Sequence, residues 1–529
     1  MIIAYYPERK KAMKKLVVII LALVMVASVF ASCGEPEGPA TTPRPSTTKP
    51  TVQDPEEIPE NEKINLDLDA IDYDGEEVHV FHWTSDYFGM LLADIGNDAV
   101  NDAVYNRNSY TETDLGVTID WYKQDNSSYT RTRNFVDKLD ARKQDPNTPV
   151  DIIASGIRSM ATVMVEGHLT ELNTYSDSLD LSKVWWPENL QDAIEVKDNL
   201  YFVSGDISAN LLRMMSCIFV NKTILESNGQ NYVEFMEQIK AYEWTFDDLI
   251  RLTEGQYQDL DNIVGPSKDD KFGLITLYYH SDALYTGLGY KYGVMSSKDD
   301  EVIRISAQLG GETATNYVNK MKDWHNGDFY MGYLDPQEAS FADSFLNGNS
   351  LFLLHNAAFG FEIQKTDIKY AVVPCPALDT DQGRYYTNVV NSFSGFGVCE
   401  SSFDYDLAAQ TIQTLGYHAF NTTTPAIFEV SFQGKFSKDD YTIEMFDIIR
   451  ESIVFDSGRV FDYFISSQQT GFILDYILPN IVSYGIKGNE QAEDTNYNFH
   501  SMGDPTRKKA QQCIDAANKK ILDYLESQS

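Results

Sequence analysis

The chain has 529 residues with 43% hydrophobic and 12% aromatic side chains, the composition of an ordinary globular protein with room for two or three domains. A net charge of −37 repels nucleic acid and anionic lipid surfaces, and so excludes both as partners. Five cysteines, none in a CxxC pair, exclude a metal knuckle and a disulfide-dense scaffold. The 32 tyrosines suit polar ligands, because a phenol stacks and hydrogen-bonds at once, though each one serves a core equally well.

The first element in chain order is apolar. Leu16 to Ser32 (LVVIILALVMVASVFAS) carries no charge, follows Lys14 and Lys15, and ends in small residues before Cys33. A basic start, an apolar middle and a small-residue exit describe an export signal. The exit resembles that of bacterial lipoprotein signals, although Phe30 stands where an aliphatic residue is usual. The resemblance implies cleavage before Cys33 and a diacylglycerol on its sulfur. Residues 1–32 are then a signal peptide that starts at Met13. Residues 33–66 follow as a lipidated cysteine and a Pro/Thr/Glu-rich tether too poor in apolar residues to bury a core. Ser46 to Lys49 matches a serine–lysine hydrolase motif by chance.

Glu77 to Trp83 alternates and reads as a strand, Asn97 to Leu115 as a helix, Val117 to Tyr122 as a strand, Tyr129 to Arg142 as a polar helix, and Val150 to Ala154 as a third strand. This alternation predicts a parallel sheet covered by helices, with ligand at the carboxyl ends of the strands. Those ends carry Trp83 and Ser155. Farther on, two apolar runs, Leu200 to Val203 and Leu211 to Val220, flank a polar turn, Ser204 to Asn210. Tyr242 to Glu254 has a capping pattern, with Thr245 three residues before Asp248. The C-terminal part shows helical apolar spacing at Phe446, Ile449, Ile453, Val460 and Phe464, and again from Lys508 to Ser527.

Several phrases in this order are similar to those of the extracellular solute-binding proteins of sugar-type ABC transporters (solute-binding family 1). They are Asp151-Ile-Ile-Ala-Ser-Gly156, Gly167-His-Leu-Thr-Glu-Leu172, Leu200-Tyr-Phe-Val203, Phe219-Val-Asn-Lys222 and Glu243-Trp-Thr-Phe-Asp-Asp-Leu249. Phe341 to Asn356, Tyr370 to Pro376 and Asn391 to Ser401 continue the series, with a helix from Ala408 to Phe420. Two departures stand out. Val220 replaces a tyrosine before Asn221, and nothing after about Thr423 matches.

The resemblance implies an α/β, two-lobed, periplasmic-binding-protein-like fold. Its ligand cleft lies between lobes joined by crossing strands near Met214–Phe219 and Leu354–Phe359. Lobe one is expected at 67–216 and 360–420. Lobe two is expected at 217–359 and 421–529, with the C-terminal helices. Closure is a hinge motion. The implied function is a lipid-anchored binding protein, a monomer outside the cytoplasm, that hands a carbohydrate, an oligosaccharide in the favoured reading, to an ABC permease without catalysis and without a cofactor. Peptide and polyamine remain open as ligands. A secreted carbohydrate-active enzyme and a surface adhesion or sensory module remain open as alternatives.

A sugar site needs flat aromatic faces and fixed polar partners, since an unpaired buried polar group costs about 1–3 kcal/mol. The candidates by position are Trp83, Ser155, Asp206, Asn210, Tyr278, Tyr279, His280, His355, Asn356 and Asn391. At most one of Tyr278 and Tyr279 faces the cleft, and His355 serves either solute or backbone groups. Trp185 and Trp186 suit core, rim or ligand platform. No GxSxG, HExxH, Walker or GxGxxG motif is present, and Asp259-Leu-Asp-Asn262 is too short of ligands for a calcium loop.

Overall fold

The computed structural model describes residues 71–84, 91–96, 98–125, 129–262, 267–277, 280, 282–309, 312–325, 329–332, 342–431, 440–467 and 505–528. The export segment, Cys33, the tether, Tyr278 and Tyr279 lie outside the described residues. Among those that are described, no helix is long and apolar enough to cross a membrane.

The chain opens with alternating strands and helices: β1 (Glu77–Thr84), α1 (Ala99–Leu115), β2 (Thr118–Asp125), α2 (Tyr129–Lys143), β3 (Ile152–Gly156) and α3 (Ile157–Val165). Asp98 caps α1 by accepting the amides of Val100 and Asn101, and Gly116 closes the helix in the left-handed region at φ 61°. All five residues of β3 are buried, as a strand covered on both faces requires. After α4 (Glu188–Ile194) and α5 (Ala209–Arg213), the chain enters β4 (Ser216–Asn221).

The middle of the chain supplies α6 (Phe246–Thr253), β5 (Phe272–Leu277), α7 (Asp282–Gly287), the hairpin β6 (Gly293–Met295) and β7 (Ile303–Ile305), then β8 (Phe329–Gly332) and β9 (Ser350–Asn356). The capping box read at Thr245 and Asp248 is present, with each side chain bonded to the other residue's backbone. The last third holds β10 (Tyr370–Val373), β11 (Thr387–Asn388), β12 (Ser394–Val398), α8 (Tyr405–Ser431), α9 (Asp440–Glu451), β13 (Ile453–Val454), α10 (Ser457–Val460), α11 (Asp462–Ser467) and α12 (Pro505–Gln528).

Two sheets carry the lobes. The first has the order β12-β3-β1-β2, with β1, β2 and β3 parallel and β12 antiparallel to β3. The second has the order β10-β4-β9-β5-β8, with β9, β5 and β8 parallel. The stretch 360–420 is divided between them. Tyr370–Val373 pairs with β4 in the second sheet, and Ser394–Val398 pairs with β3 in the first. The C-terminal stretch is divided too: α8 lies along α1 of the first lobe, while α9 packs on β10 of the second.

The second lobe's core gathers Ile218, Val220, Trp244, Phe246, Leu274 and Phe352. Trp244 is fully buried beside Phe352, and Trp324 is buried with its indole N–H donated to Thr253. Trp185 and Trp186 are core residues of the first lobe, buried against α8, where a Cβ on Gly416 would meet both rings. Cys217, Cys375, Cys399 and Cys513 are all free and buried.

Candidate functional site

Three segments cross between the sheets side by side. Met215 bridges Val389, and the Val390 amide donates to the Met214 carbonyl at 3.0 Å. The Ala357 amide donates to the Met215 carbonyl at 2.8 Å. Two of these crossings fall where the sequence places them, and the third, at Val389–Val390, joins them. Register then locates the cleft. Gly156 pairs with Ser394 at one end of the first sheet, and Ser216 pairs with Asn356 at one end of the second. The carboxyl ends of β1, β3, β5 and β9 therefore border the crossings.

On the first-lobe side, Trp83 is buried at 3% exposure. Its indole N–H donates to Ser394 Oγ at 2.7 Å, and a Cβ on Gly156 would lie 3.7 Å from the ring. The ring is thus packed into the wall of the lobe instead of standing open as a platform. Its neighbour His82 is buried as well, and burial holds its imidazole down at about 4, from the ordinary 6.5. Ser155 is buried opposite Gly395.

On the second-lobe side, the rings of His280 and His355 lie 4.3 Å apart, and that of His355 lies 4.4 Å from Phe359. His355 Nδ1 accepts the Asn356 amide at 2.9 Å, so the neutral ring carries its proton on Nε2. Burial lowers His355 to about 4 and pushes His280 well below the usual range. Asn356 is buried, with its amide nitrogen 3.4 Å from Met214 Sδ. The structure thus brings His280, His355 and Asn356 together at the first two crossings.

Asn391 follows the third crossing and donates to the Arg459 carbonyl at 3.4 Å. Asn210 is buried on α5, its carbonyl accepting the Met214 amide at 2.8 Å, and its side-chain oxygen has no partner among the described residues. Asp206 stands apart from the group. Its carboxylate accepts Arg450 Nη2 at 2.8 and 3.1 Å and the Thr424 hydroxyl at 2.8 Å.

Sequence reasoning missed the arginines. Arg459 on α10 is buried, donates to Asn388 Oδ1 at 2.7 Å and is ion-paired with Asp282. Arg158 on α3 is ion-paired with Asp462, and its guanidinium sits 4.0 Å over the Tyr463 ring. One signal was present. Asp456, Arg459 and Asp462 recur every third place in an otherwise apolar run, where a charge persists only with a partner.

The acidic cluster of Asp259, Asp261 and Asp270 has carboxylate oxygens within 4.8 Å of one another. Asp270 is the buried staple of its own turn, accepting the amides of Leu260 and Ser267 at 2.9 and 2.8 Å and the Tyr257 hydroxyl at 3.2 Å. The groups that meet at the crossings are neutral amides and imidazoles beside aromatic rings. That set offers hydrogen-bond donors and acceptors without net charge, and the carboxylates Asp206, Asp282 and Asp462 are committed to arginines.

Solved structures share the fold. UgpB from Mycobacterium tuberculosis, in complex with glycerophosphocholine, is similar at 13% identity and a TM-score of 0.52 over 82% of this chain and 98% of its own. A cyclo/maltodextrin-binding protein complexed with maltotetraose is similar at 12% identity and a TM-score of 0.50 over 85% of this chain and 98% of its own. Among curated proteins, none matches. The family described as bacterial extracellular solute-binding protein matches residues 93–395, more than half of the chain. It is a family of extracytoplasmic binding proteins, not of enzymes. With its two sheets, its three crossings and this match, the chain belongs to the bacterial extracellular solute-binding protein family.

Proposed function

We propose that the chain captures a carbohydrate, an oligosaccharide in the favoured reading, between its lobes and delivers it to an ABC permease. The observation that carries this reading is the convergence of His280, His355, Asn356, Asn210 and Asn391 on the crossings. Imidazoles held neutral and amides offer directional donors and acceptors without net charge, which suits hydroxyl-rich neutral solutes. Trp83, Ser155 and Asp206 act behind this layer, the first two by shaping the first-lobe wall. By sequence position after β5, one of Tyr278 and Tyr279 is the further candidate for this site. The maltotetraose bound by one neighbour in fold supports the solute class, and the glycerophosphocholine bound by the other names its rival.

Lobe one is formed by the first sheet with its helices and lobe two by the second, and the cleft closes by hinge motion at the three crossings. We also assign residues 1–32 as an export signal, Cys33 as the lipidated first residue of a monomer, and the stretch up to residue 66 as its tether. The charge-free run before Cys33 supports this.

Calorimetry with maltotetraose and other oligosaccharides, glycerophosphocholine, short peptides and polyamines tests the ligand class. Saturable binding of an oligosaccharide is expected, with no product formed on long incubation. Binding of a non-sugar solute alone removes the carbohydrate reading, and turnover removes the binder reading. Cys33→Ser is expected to release the protein from membranes, and continued membrane fractionation removes the anchor.

A further inference from the structure

The helix Tyr232–Lys240 ends in a reversed turn. The Tyr242 amide donates to the Ile239 carbonyl and the Glu243 amide to the Gln238 carbonyl, both at 3.0 Å. This pair of bonds is a Schellman motif, and it puts Tyr242 in the left-handed region at φ 60°. Glycine usually fills that position, because a Cβ there crowds the following carbonyl oxygen. Among the described residues, the other non-glycine positions with positive φ hold Asp74, Lys197, Asp198 and Asn262, so Tyr242 is the one aromatic. The strained residue is 38% exposed, yet its ring is held. It lies 5.3 Å from the ring of Tyr385, which is buried, donates to the Ile239 carbonyl at 2.9 Å and accepts the Trp244 amide at 3.2 Å.

The topology puts this ring at the cleft end of lobe two. Strand β4 starts at the first crossing and β10 runs antiparallel to it, so the carboxyl end of β10 returns to the level of the crossings. There the Pro374 carbonyl accepts the Trp244 indole N–H at 3.3 Å, and Ala377 is bridged to Thr245. Tyr385 precedes Val389 at the third crossing by at most about 14 Å of chain. Burial raises the Tyr385 hydroxyl, and the nearby charges of Asp248 and Glu243 raise it further. An exposed aromatic face, fixed in advance and flanked by carboxylates, suits a sugar ring: C–H groups pack on the face and hydroxyls donate to the carboxylates.

We propose that Tyr242 is a distal platform of the solute site, on which a far sugar of an oligosaccharide stacks while its first sugars lie at the crossings. The platform rests on the carbohydrate reading and adds chain length to it. A disaccharide held at the crossings does not reach Tyr242, and a longer chain does. Strain retained for binding has a signature. Removing a packing residue lowers stability, whereas Tyr242→Gly relieves the strain while it removes the ring.

Calorimetry with maltose and maltohexaose, cellobiose and cellohexaose, and xylobiose and xylohexaose is read as the ratio of six-sugar to two-sugar affinity within a series. For a series that the unsubstituted chain binds, Tyr242→Gly is expected to lower that ratio by about tenfold, and Tyr242→Phe to keep it. The melting temperature of Tyr242→Gly is expected to stay within about 2 °C. An unchanged ratio overturns the proposal. So does a melting temperature several degrees lower, since the ring then serves packing, and so does equal affinity for both lengths in the unsubstituted chain. Tyr242→Asn, which also tolerates the left-handed region, is read the same way. Binding of no member of the panel by the unsubstituted chain removes the carbohydrate reading and the platform with it. An unchanged ratio in a chain that binds removes the platform alone.

Discussion

Arg450 and Asp206 lie 244 positions apart and are joined by two hydrogen bonds, at 2.8 and 3.1 Å, from one guanidinium nitrogen to both carboxylate oxygens. The pair links the turn before β4 to α9, and Thr424 on α8 completes it. Asp206→Asn removes the charge that compensates Arg450, whose side chain is 20% exposed. The expected loss is about 1–3 kcal/mol in urea unfolding, because partial exposure softens the penalty of a stranded charge. Burial raises the Asp206 carboxyl despite Arg450. Its own contribution to stability is therefore present at low pH and is lost as pH rises through its raised folded value.

The buried histidines give the opposite slope. Burial lowers His82 and His168 to about 4, from 6.5. Each folded ring binds fewer protons than the unfolded one. Stability is therefore full above the unfolded value and falls as pH drops from 6.5 toward 4. One pH unit below the unfolded value, each ring costs roughly 1 kcal/mol. Unfolding free energies at pH 7.5 and 5.5 should differ by about 2–3 kcal/mol from these two alone, and His82→Asn is expected to remove about half of that share, with His280 and His355 keeping theirs.

Trp83→Ala removes a buried ring that lies over Gly156, so a stability loss of about 3–5 kcal/mol is expected. Trp83→Phe keeps most of the packing and gives up the hydrogen bond to Ser394, at about 1 kcal/mol. Thermal unfolding of the two variants separates packing from hydrogen bonding, and equal losses would count against this division.

The C-terminal helix packs through a buried apolar face and is tied to the β6–β7 hairpin region by Asn518. Asn518 Oδ1 accepts the amides of Val302 and Ile303 at 3.1 and 2.8 Å, and its Nδ2 donates to the Ile303 carbonyl at 2.8 Å. Asn518→Ala strands these buried groups, at about 2–4 kcal/mol. Hydrogen exchange over 505–528 is expected to accelerate more than exchange in β1 or β3, because α12 detaches before the sheets open.

Much of the first lobe was legible in sequence because its signals are local. The alternation in Glu77 to Trp83, the polar helix from Tyr129 and the apolar run at Val150 each became the expected element within a few residues. Two of the three crossings described were legible through phrase order. Side-chain orientation was not legible. Trp83 sits at a strand end, as read, yet faces inward because Ser394, brought there by the distant β12, and Gly156, at the end of the neighbouring β3, build a pocket for its indole. Arg158 and Asp462 lie 304 positions apart, and no spacing within either segment announces such a pair. The division of 360–420 between sheets escaped for the same reason, since Tyr370–Val373 reads as a strand but its partner β4 is 150 residues earlier on the chain.

The order of the first sheet carries a further consequence. Strand β3 is finished by residue 156, yet the strand that seals its open edge, β12, begins only at Ser394. A chain emerging amino end first exposes an unpaired, largely apolar strand edge until more than two hundred further residues have followed. Such an edge recruits any extended segment nearby. A fragment ending before Ser394 is therefore expected to aggregate instead of yielding an isolated lobe. Refolding of the whole chain should be slow, set by the search that brings the two strands together.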